Sequence, residues 1–275
     1  MLSSSLQAEY IEVLKSTENI SIEVSDDDLI VYSRGAEPPA YISYIGALHS
    51  GYKVRIASTT EASIHILPYV EHNKVIVFSI EHRDVRALNT VITASLLGVR
   101  SILVAPQQHE AYEERAKLRG VERVVVPSRY PLLASSVIAL KSIPKLMGLR
   151  DERIRREIRE LSDALKWIYE RYSDIIGESR EYDVIAYTPS TKPGAYYCKA
   201  SNNIQPIPLE AILDLPRGVK ALVFTTTVEE QEFKDVILSS KVKGIELYTI
   251  TLNTDPVTAG FYSILVAIAL SGKII

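Results

Sequence analysis

The sequence has 275 residues, with 31 basic and 34 acidic side chains and a single cysteine, Cys198. This near-neutral balance argues against a sequence-independent grip on a nucleic-acid backbone, so we expect no nucleic-acid partner but a small ligand or a protein partner. A lone cysteine cannot form an internal disulfide, and the first residues have neither the basic segment nor the apolar run of a signal peptide, so we expect a cytoplasmic protein.

The first half of the chain alternates between apolar runs of strand length and helical stretches. The runs are nearly continuous in Val, Ile and Leu, which is typical of strands that helices cover on both faces. We therefore predict a parallel, doubly wound sheet. The predicted strands are residues 28–33, 53–58, 75–79, 101–106 and 123–127.

A highly charged stretch without proline begins after residue 148 and places apolar residues at alternating spacings of 4 and 3. This pattern predicts a long amphipathic helix laid on a domain surface, with a seam between subunits as the alternative. In either case the stretch separates the two halves of the chain. Its apolar positions are Ile154, Ile158, Leu161, Leu165, Ile168, Tyr172 and Ile175.

The second half repeats the first. "DLIVYS" at 28–33 returns as "DVIAYT" at 183–188, and "VIVFS" at 75–79 returns as "ALVFT" at 221–225. The distance from the closing hydroxyl to the next glycine is also equal, which indicates duplicated units. We predict an α/β fold of two doubly wound parallel-sheet domains, each a sheet between helical layers. Their boundaries are 1–149 and 179–275, with a linking amphipathic helix at 150–178.

Residues 257–270 form an apolar stretch that is shorter than the ~20 residues a membrane span needs. We predict a buried helix here and no membrane association. Together with the apolar seam at 154–175, this helix offers more apolar surface than two small domains need, so we expect a homodimer.

Ligands of open parallel sheets gather where the strands end and loops lead into helices. In the first half, Ser33 ends the strand at 28–33 and is followed by Arg34 and Gly35. These three residues either meet an anion or form an ordinary turn. A dinucleotide or P-loop enzyme is disfavoured, because neither glycine-rich signature is present.

Two loops of the second half offer hydroxyls at the corresponding strand ends. Thr188 and Ser190, with Lys192 nearby, either hold a phosphate or form a polar turn. Thr225, Thr226 and Thr227 precede a helical stretch, where an N-cap role is favoured over ligand contact.

The loop "FSIEHRDV" at 78–85 contains Ser79, Glu81, His82 and Arg83. Arg83 pointing inward would hold a phosphate, whereas Glu81 pointing inward would suit a hydroxyl-rich or cationic ligand. Of the five histidines, only His82 falls in a candidate loop, where it is either an acid or base near neutral pH or a surface residue. No histidine has the spacing of a metal site, so we expect no metal and no cofactor.

The segment "ILPYVEHNKVIVFSIEHRDVRAL" is similar to the sugar isomerase (SIS) domain family in its proline-containing approach, strand and phosphate loop. That family's loop reads S-x-S-G-x-T. In this sequence Ser79 matches the first serine, while Glu81, His82 and Asp84 stand for the second serine, the glycine and the threonine. The resemblance implies flavodoxin-like αβα domains, and the paired halves resemble bifunctional phosphoglucose/phosphomannose isomerases.

The second half carries a fainter likeness to the same family. "AYYCK" at 195–199 resembles the family's basic aromatic stretch, and "IPLEAILDLPRG" resembles the segment after the catalytic glutamate. Glu210 is then the nearest glutamate. Residues 110–275 contain no histidine, so the family's ring-opening role has no residue in this half unless Lys199 substitutes.

The resemblance implies two functions. The first is an aldose–ketose phosphosugar isomerase, in which Glu210 or Glu81 moves a proton and His82 or Lys199 assists ring opening. The second is a non-catalytic module that binds a sugar phosphate or nucleotide sugar. The residues expected to hold the ligand are Ser33, Arg34, Gly35, Ser79, Arg83, Thr188 and Ser190.

Overall fold

A computed structural model describes residues 3–176 and 181–275. The described residues form two parallel sheets, which confirms the predicted α/β fold class. The chain divides into two compact units. What we call the first unit comprises residues 12–153 and Ile275, and the second unit comprises the residues up to Ile11 with 154–274. The predicted domain boundaries themselves stay a prediction.

The sheet of the first unit has five parallel strands in the order β2-β1-β3-β4-β5. Strands β1 and β3 are in register from Leu29 beside Val75 to Tyr32 beside Phe78, so both end at the same level. This strand order is flavodoxin-like, and it reverses between β1 and β3. The strands are β1 (Leu29–Tyr32), β2 (Arg55–Ser58), β3 (Lys74–Phe78), β4 (Arg100–Pro106) and β5 (Glu122–Val126).

Helices cover both faces of this sheet. One face packs on α4 and α5 through alternate strand residues such as Leu29, Val75 and Leu103, and the other packs on α2 and α6. All five strands were predicted as apolar runs, and burial on both faces explains why they do not alternate. The helices are α1 (Ser4–Ser16), α2 (Glu37–His49), α3 (Thr59–Glu61), α4 (Val85–Leu96), α5 (Glu110–Leu118) and α6 (Pro131–Lys141), and a π-helical turn, Ala62–Ile66, follows α3.

A buried ion pair lies where β1 and β3 begin, at the opposite end of these strands from their carboxyl ends. Lys74 Nζ is 3.3 Å from Asp28 Oδ2, and the two side chains are 5% and 0% exposed. Burial raises the pKa of Asp28, while the Ser25 N–H and Lys74 act in the opposite direction. Removing only one partner would leave a buried charge uncompensated, so the pair fixes these two strands together.

The sheet of the second unit has four parallel strands in the order β7-β6-β8-β9, the same order as the first four of the other sheet. The edge strand β7 was not predicted, because two of its four residues are prolines. Proline cannot donate to a ladder and is therefore confined to edges. The strands are β6 (Val184–Tyr187), β7 (Gln205–Pro208), β8 (Lys220–Thr226) and β9 (Glu246–Leu252).

The remaining helices include the predicted apolar helix, which is α13. Every residue from Val257 to Ala269 is buried, which confirms the prediction of a buried helix. No helix among the described residues is both long and apolar enough to cross a membrane. The helices are α7 (Leu149–Arg159), α8 (Leu161–Arg171), α9 (Ser173–Ile176), α10 (Lys192–Asn202), α11 (Thr227–Glu232), α12 (Lys234–Lys243) and α13 (Pro256–Ser271), with 3-10 turns at Pro189–Thr191 and Leu209–Asp214.

The charged stretch is helical from Leu149 to Ile176 but breaks at Glu160 and Tyr172, so it forms three consecutive helices rather than one. Four of its seam residues, Ile154, Leu161, Leu165 and Ile168, are buried. Residues 177 and 178 of the predicted linking helix lie outside the described residues. The linking role of the stretch stays a prediction.

The amino-terminal helix belongs partly to the second unit. Tyr10 of α1 is fully buried, and its hydroxyl donates to the carbonyl oxygen of Leu161 at 2.7 Å. The two residues are separated by 151 positions in the sequence.

We predict that Gly194→Ala destabilises the protein more than Gly46→Ala does. A Cβ at Gly194 would lie 2.5 Å from the backbone of Ser263 in α13, whereas one at Gly46 would lie 2.6 Å from the Ile143 side chain, which can move. Helix propensity alone would favour alanine by about 1 kcal/mol, so the clash decides the sign, at a cost of ~1–3 kcal/mol or more for Gly194. Urea unfolding of both variants tests this, and equal midpoints would contradict it.

Candidate functional site

A cleft lies at the strand-order reversal of the first sheet, where the loops after β1 and β3 diverge. Its volume is about 280 Å³. In open parallel sheets this is the position where ligands bind. The cleft is lined by Ser33, Arg34, Glu81, Arg83, Asp84, Val85 and Arg86.

The loop after β1 contributes a buried hydroxyl. Ser33 is 3% exposed, and its Oγ has no hydrogen-bond partner among the described residues. Its backbone is fixed, because Ser33 N–H donates to the Phe78 carbonyl at 3.0 Å and its carbonyl accepts from Ala36 N–H at 3.0 Å. An unsatisfied buried hydroxyl costs ~1–3 kcal/mol, so a polar ligand atom at this position would be stabilised.

Gly35 explains why a large apolar residue, Ile80, follows Ser79. Gly35 has a φ of +84°, and a Cβ there would lie 2.9 Å from Ile80 Cδ1. The Ile80 side chain therefore packs directly against the backbone of the β1 loop. Any larger residue at position 35 would be strained by its φ and would push the two loops apart.

Ser79 is already engaged within its own loop. Its Oγ donates to Asp84 Oδ2 at 2.6 Å, and it accepts from Glu81 N–H at 3.4 Å. Asp84 is the N-cap of α4, where its other oxygen accepts from Ala87 N–H at 2.9 Å. The Ser79 hydroxyl, which was expected to bind a ligand, thus donates its hydrogen bond to the Asp84 carboxylate.

The loop after β4 braces this region. Gln108 is 6% exposed, and its amide donates to the carbonyl oxygens of Glu81 at 2.7 Å and Pro106 at 3.1 Å. His82 donates from Nδ1 to the Gln107 carbonyl at 2.8 Å and is not among the residues that line the cleft. The sequence analysis did not predict a role for Gln108, because nothing in the sequence distinguishes a buried, hydrogen-bonded glutamine in a polar turn from a solvated one.

The charges around the cleft favour an anion. Arg34, Arg83 and Arg86 line it together with the carboxylates of Glu81 and Asp84, and the Asp84 oxygens already accept two hydrogen bonds. The sequence left open whether Arg83 or Glu81 points into the cleft. Both residues line it. Burial raises the pKa of the nearby Tyr32 phenol above its usual range.

The loops of the second sheet repeat this geometry. Thr188 N–H donates to the Phe224 carbonyl at 3.2 Å, as Ser33 does to Phe78, and Thr191 N–H donates to the Thr188 carbonyl at 3.0 Å, as Ala36 does to Ser33. A tyrosine pair accompanies each loop: the ring centroids are 6.0 Å apart in Tyr32–Tyr41 and 6.0 Å apart in Tyr187–Tyr196. The sequence repeat therefore extends from the strands into the loops that follow them.

A carboxylate occupies the equivalent place in the second unit. Glu229 Oε2 accepts from Thr188 Oγ1 at 2.6 Å and from Thr226 Oγ1 at 2.9 Å, and Oε1 accepts from Ser190 N–H at 2.9 Å. Thr226 is the N-cap of α11, as the capping interpretation predicted. Glu229 was missed, because the sequence gives no sign that a helical glutamate reaches a loop 41 residues away.

Two further candidates, Glu210 and Lys199, lie in the second unit. Glu210 is exposed on the 3-10 turn Leu209–Asp214, and Lys199 is exposed near the end of α10, with Nζ 5.8 Å from the Tyr196 ring centroid. Their proposed catalytic roles stay predictions.

The second unit also contains a cavity of about 320 Å³ beyond the end of β9. Its lining includes the carboxylates of Glu157, Glu160 and Asp163, which repel an anion. Burial, followed by the Glu157 and Glu160 charges, raises the pKa of Tyr262 in this cavity to about 12. Of these two cavities, the cleft of the first unit is the one that suits a phosphate.

No protein-family model matches the sequence, and no curated protein matches it. Solved structures do resemble the fold over 98% of the chain. The C-terminal domain of glucosamine-fructose-6-phosphate aminotransferase from Francisella tularensis is 10% identical, is covered over 96% of its length and gives a TM-score of 0.69.

Two other structures give the same coverage of this chain. Tagatose-6-phosphate ketose/aldose isomerase from Escherichia coli is 11% identical, with 87% of its chain covered and a TM-score of 0.66. Glucosamine-6-phosphate deaminase from Thermotoga maritima is 12% identical, with 92% covered and a TM-score of 0.65. At these identities the likeness establishes the fold alone.

We predict that Asp84→Ala lowers stability by about 1–3 kcal/mol, whereas Asp84→Asn lowers it less. Alanine removes the cap of α4 and leaves the Ser79 hydroxyl without its acceptor, while asparagine is as good a cap and keeps an acceptor oxygen. Chemical denaturation of both variants measures the difference. Equal losses would mean that charge, rather than hydrogen bonding, gives Asp84 its role.

Proposed function

We propose that this protein binds a phosphorylated sugar in the cleft of the first unit. The observation that carries the proposal is the buried Ser33 hydroxyl, which lines the cleft and has no hydrogen-bond partner in the described part of the chain. A phosphate oxygen is an acceptor that such a hydroxyl would satisfy. The cleft lies where the strand order reverses, which is the general position of ligands in this architecture.

The arginines around Ser33 support an anionic ligand. A hydrogen bond between an arginine and a phosphate oxygen contributes ~1.5–3 kcal/mol, and three arginines line the cleft. The carboxylates of Glu81 and Asp84 oppose an anion, but the exposure of Glu81 lets solvent screen its repulsion, and the Asp84 oxygens already accept hydrogen bonds from Ser79 and Ala87. The net balance therefore favours phosphate.

The sugar part of the proposal comes from the structural neighbours. Two of them are named for 6-phosphorylated sugars, the tagatose-6-phosphate isomerase and the glucosamine-6-phosphate deaminase. A shared fold does not fix a shared substrate. It nevertheless makes hexose and amino-sugar phosphates the first ligands to test.

We favour binding without catalysis over an isomerase. The Ser79 hydroxyl is held by Asp84, and His82 Nδ1 is held by the Gln107 carbonyl. One observation keeps the aldose–ketose isomerase as a second candidate: the Glu81 carboxylate lines the cleft, where it could move a proton between two sugar carbons. The likeness to bifunctional phosphoglucose/phosphomannose isomerases belongs to this second candidate.

We predict that a hexose phosphate or amino-sugar phosphate raises the melting temperature, whereas the unphosphorylated sugar does not. A ligand at 100 times its dissociation constant stabilises the folded state by ~2.7 kcal/mol, which corresponds to a shift of several degrees. A thermal-shift screen with inorganic sulfate as the ionic control measures this. A flat response to every phosphate would remove the proposed function.

We predict opposite effects from two neighbouring substitutions in the β3 loop. Arg83→Ala should weaken phosphosugar binding roughly ten- to hundredfold by removing a charge-assisted hydrogen bond, and Glu81→Ser should strengthen binding by removing a like charge. Calorimetric titration measures both, with Arg115→Ala on α5 as the control arginine.

The same variants separate the two candidate functions. If Glu81→Ser abolishes an isomerase activity of the wild-type protein while leaving its affinity intact, the carboxylate is the base and the protein is an enzyme. If no isomerase activity is found with a ligand that binds, the binding module stands.

A further inference from the structure

We propose that the second unit contains an anion-binding cradle that the chain fills with its own carboxylate, Glu229, so that each protein molecule takes one phosphorylated ligand rather than two. We define the cradle as the Thr188 hydroxyl, the Ser190 backbone N–H and the Thr226 hydroxyl. The position of that single ligand rests on the proposed function. The existence of the cradle does not, because it is argued from a different part of the molecule.

Two hydroxyls occupy equivalent positions in the two units. Ser33 and Thr188 each follow the first strand of a sheet, and each donates its N–H to a carbonyl of the adjacent strand, that of Phe78 or Phe224. They are 3% and 0% exposed. Within the described chain the Ser33 hydroxyl has no partner, whereas the Thr188 hydroxyl donates to Glu229 at 2.6 Å. One site is therefore open, and the other is occupied.

Three hydrogen-bond donors converge on one carboxylate in the second unit. Glu229 accepts from the β6 loop through Thr188 and Ser190, and from the end of β8 through Thr226. The three donor residues are 0%, 7% and 0% exposed. Two hydroxyls and one N–H around a single anionic group form the type of cradle that also binds phosphate oxygens.

The cradle differs from ordinary helix capping. A capping bond stays within its own helix, and the bond from Glu229 N–H to the N-cap hydroxyl of Thr226 at 3.2 Å is of that kind. The contacts with Thr188 and Ser190 are different, because they cross to a loop 41 and 39 residues away. The donors come from both loops at the reversal of strand order, which is the ligand position in such a sheet.

The consequence is a difference in ligand access between two repeated sites. The donors that a phosphate would need in the cradle are already bonded to the Glu229 carboxylate. The negative charge of that carboxylate also repels the phosphate. In the first unit the cleft is lined by Arg34 and Arg83 as well as by Glu81 and Asp84, and neither carboxylate accepts a hydrogen bond from the Ser33 hydroxyl. Glu229 therefore keeps the second site closed to anions.

The test counts bound phosphates in the full-length protein. Native mass spectrometry and calorimetry with glucose 6-phosphate should give one ligand per chain for the wild type and two for Glu229→Ala, the second at least tenfold tighter than in the wild type. Glu230→Ala is the matched control, since Glu230 is an exposed neighbour on the same short helix, and it should stay at one.

A variant that folds poorly still reports on the cradle, because a ligand that binds the folded state shifts the folding equilibrium. Inorganic phosphate should raise the melting temperature of Glu229→Ala more than that of the wild type or of Glu230→Ala. The Arg83→Ala, Glu229→Ala double variant should keep the new site.

The outcomes distinguish this proposal from the proposed function. Two ligands on the wild type, or no additional ligand and no additional phosphate stabilisation in Glu229→Ala, would overturn the cradle. If the wild type binds none and Glu229→Ala binds one, the cradle stands and the binding function of the first unit falls.

Discussion

The reversal of strand order beside the first strand of each sheet is the constraint on which the candidate sites depend. Neighbouring parallel strands run in register up to their loops, with Tyr32 beside Phe78 in one sheet and Tyr187 beside Phe224 in the other. The loops lead to helices on opposite faces, so the backbone leaves a crevice between them. In the first unit, the contact of Ile80 with the β1 loop keeps this crevice in shape.

Buried donors at such a crevice need an acceptor, and the two units supply it differently. The second unit uses a carboxylate from its own chain on the Thr188 hydroxyl, while the Ser33 hydroxyl of the first unit lacks a partner among the residues that the structure describes. A fully satisfied polar cluster stabilises its fold, whereas an unsatisfied one lowers stability until a ligand arrives. On our proposals, the repeat thus divides between a second-unit cluster that serves stability and a first-unit cleft that binds the ligand.

The sequence predicted the features that depend on periodicity and repetition. These are the seven apolar strand runs, the repeat itself and the buried helix α13, because hydrophobic pattern is what a sequence displays directly. The prolines of β7 hid an edge strand, and the single seam of the charged stretch did not reveal the breaks at Glu160 and Tyr172.

The site residues were predicted less completely than the fold. Position after a strand end was enough to find Ser33, Arg34, Glu81 and Arg83, which do line one cleft. The partners of those residues come from elsewhere in the chain, as Gln108 does, and no local pattern marks them. Asp84 shows the same limit: a resemblance placed it where a threonine would stand, while the structure shows it capping α4 and holding Ser79.

The burial of Tyr10 bears on how the protein emerges from the ribosome. Its partner Leu161 is 151 residues further along the chain, so at ~5–20 residues per second the amino-terminal helix waits roughly 8–30 s for the surface that covers it. The first sheet can fold during that interval, but Tyr10 and its apolar neighbours stay exposed to chaperones and to other nascent chains. Vectorial synthesis therefore brings Tyr10 to its buried position only after Leu161 has been made.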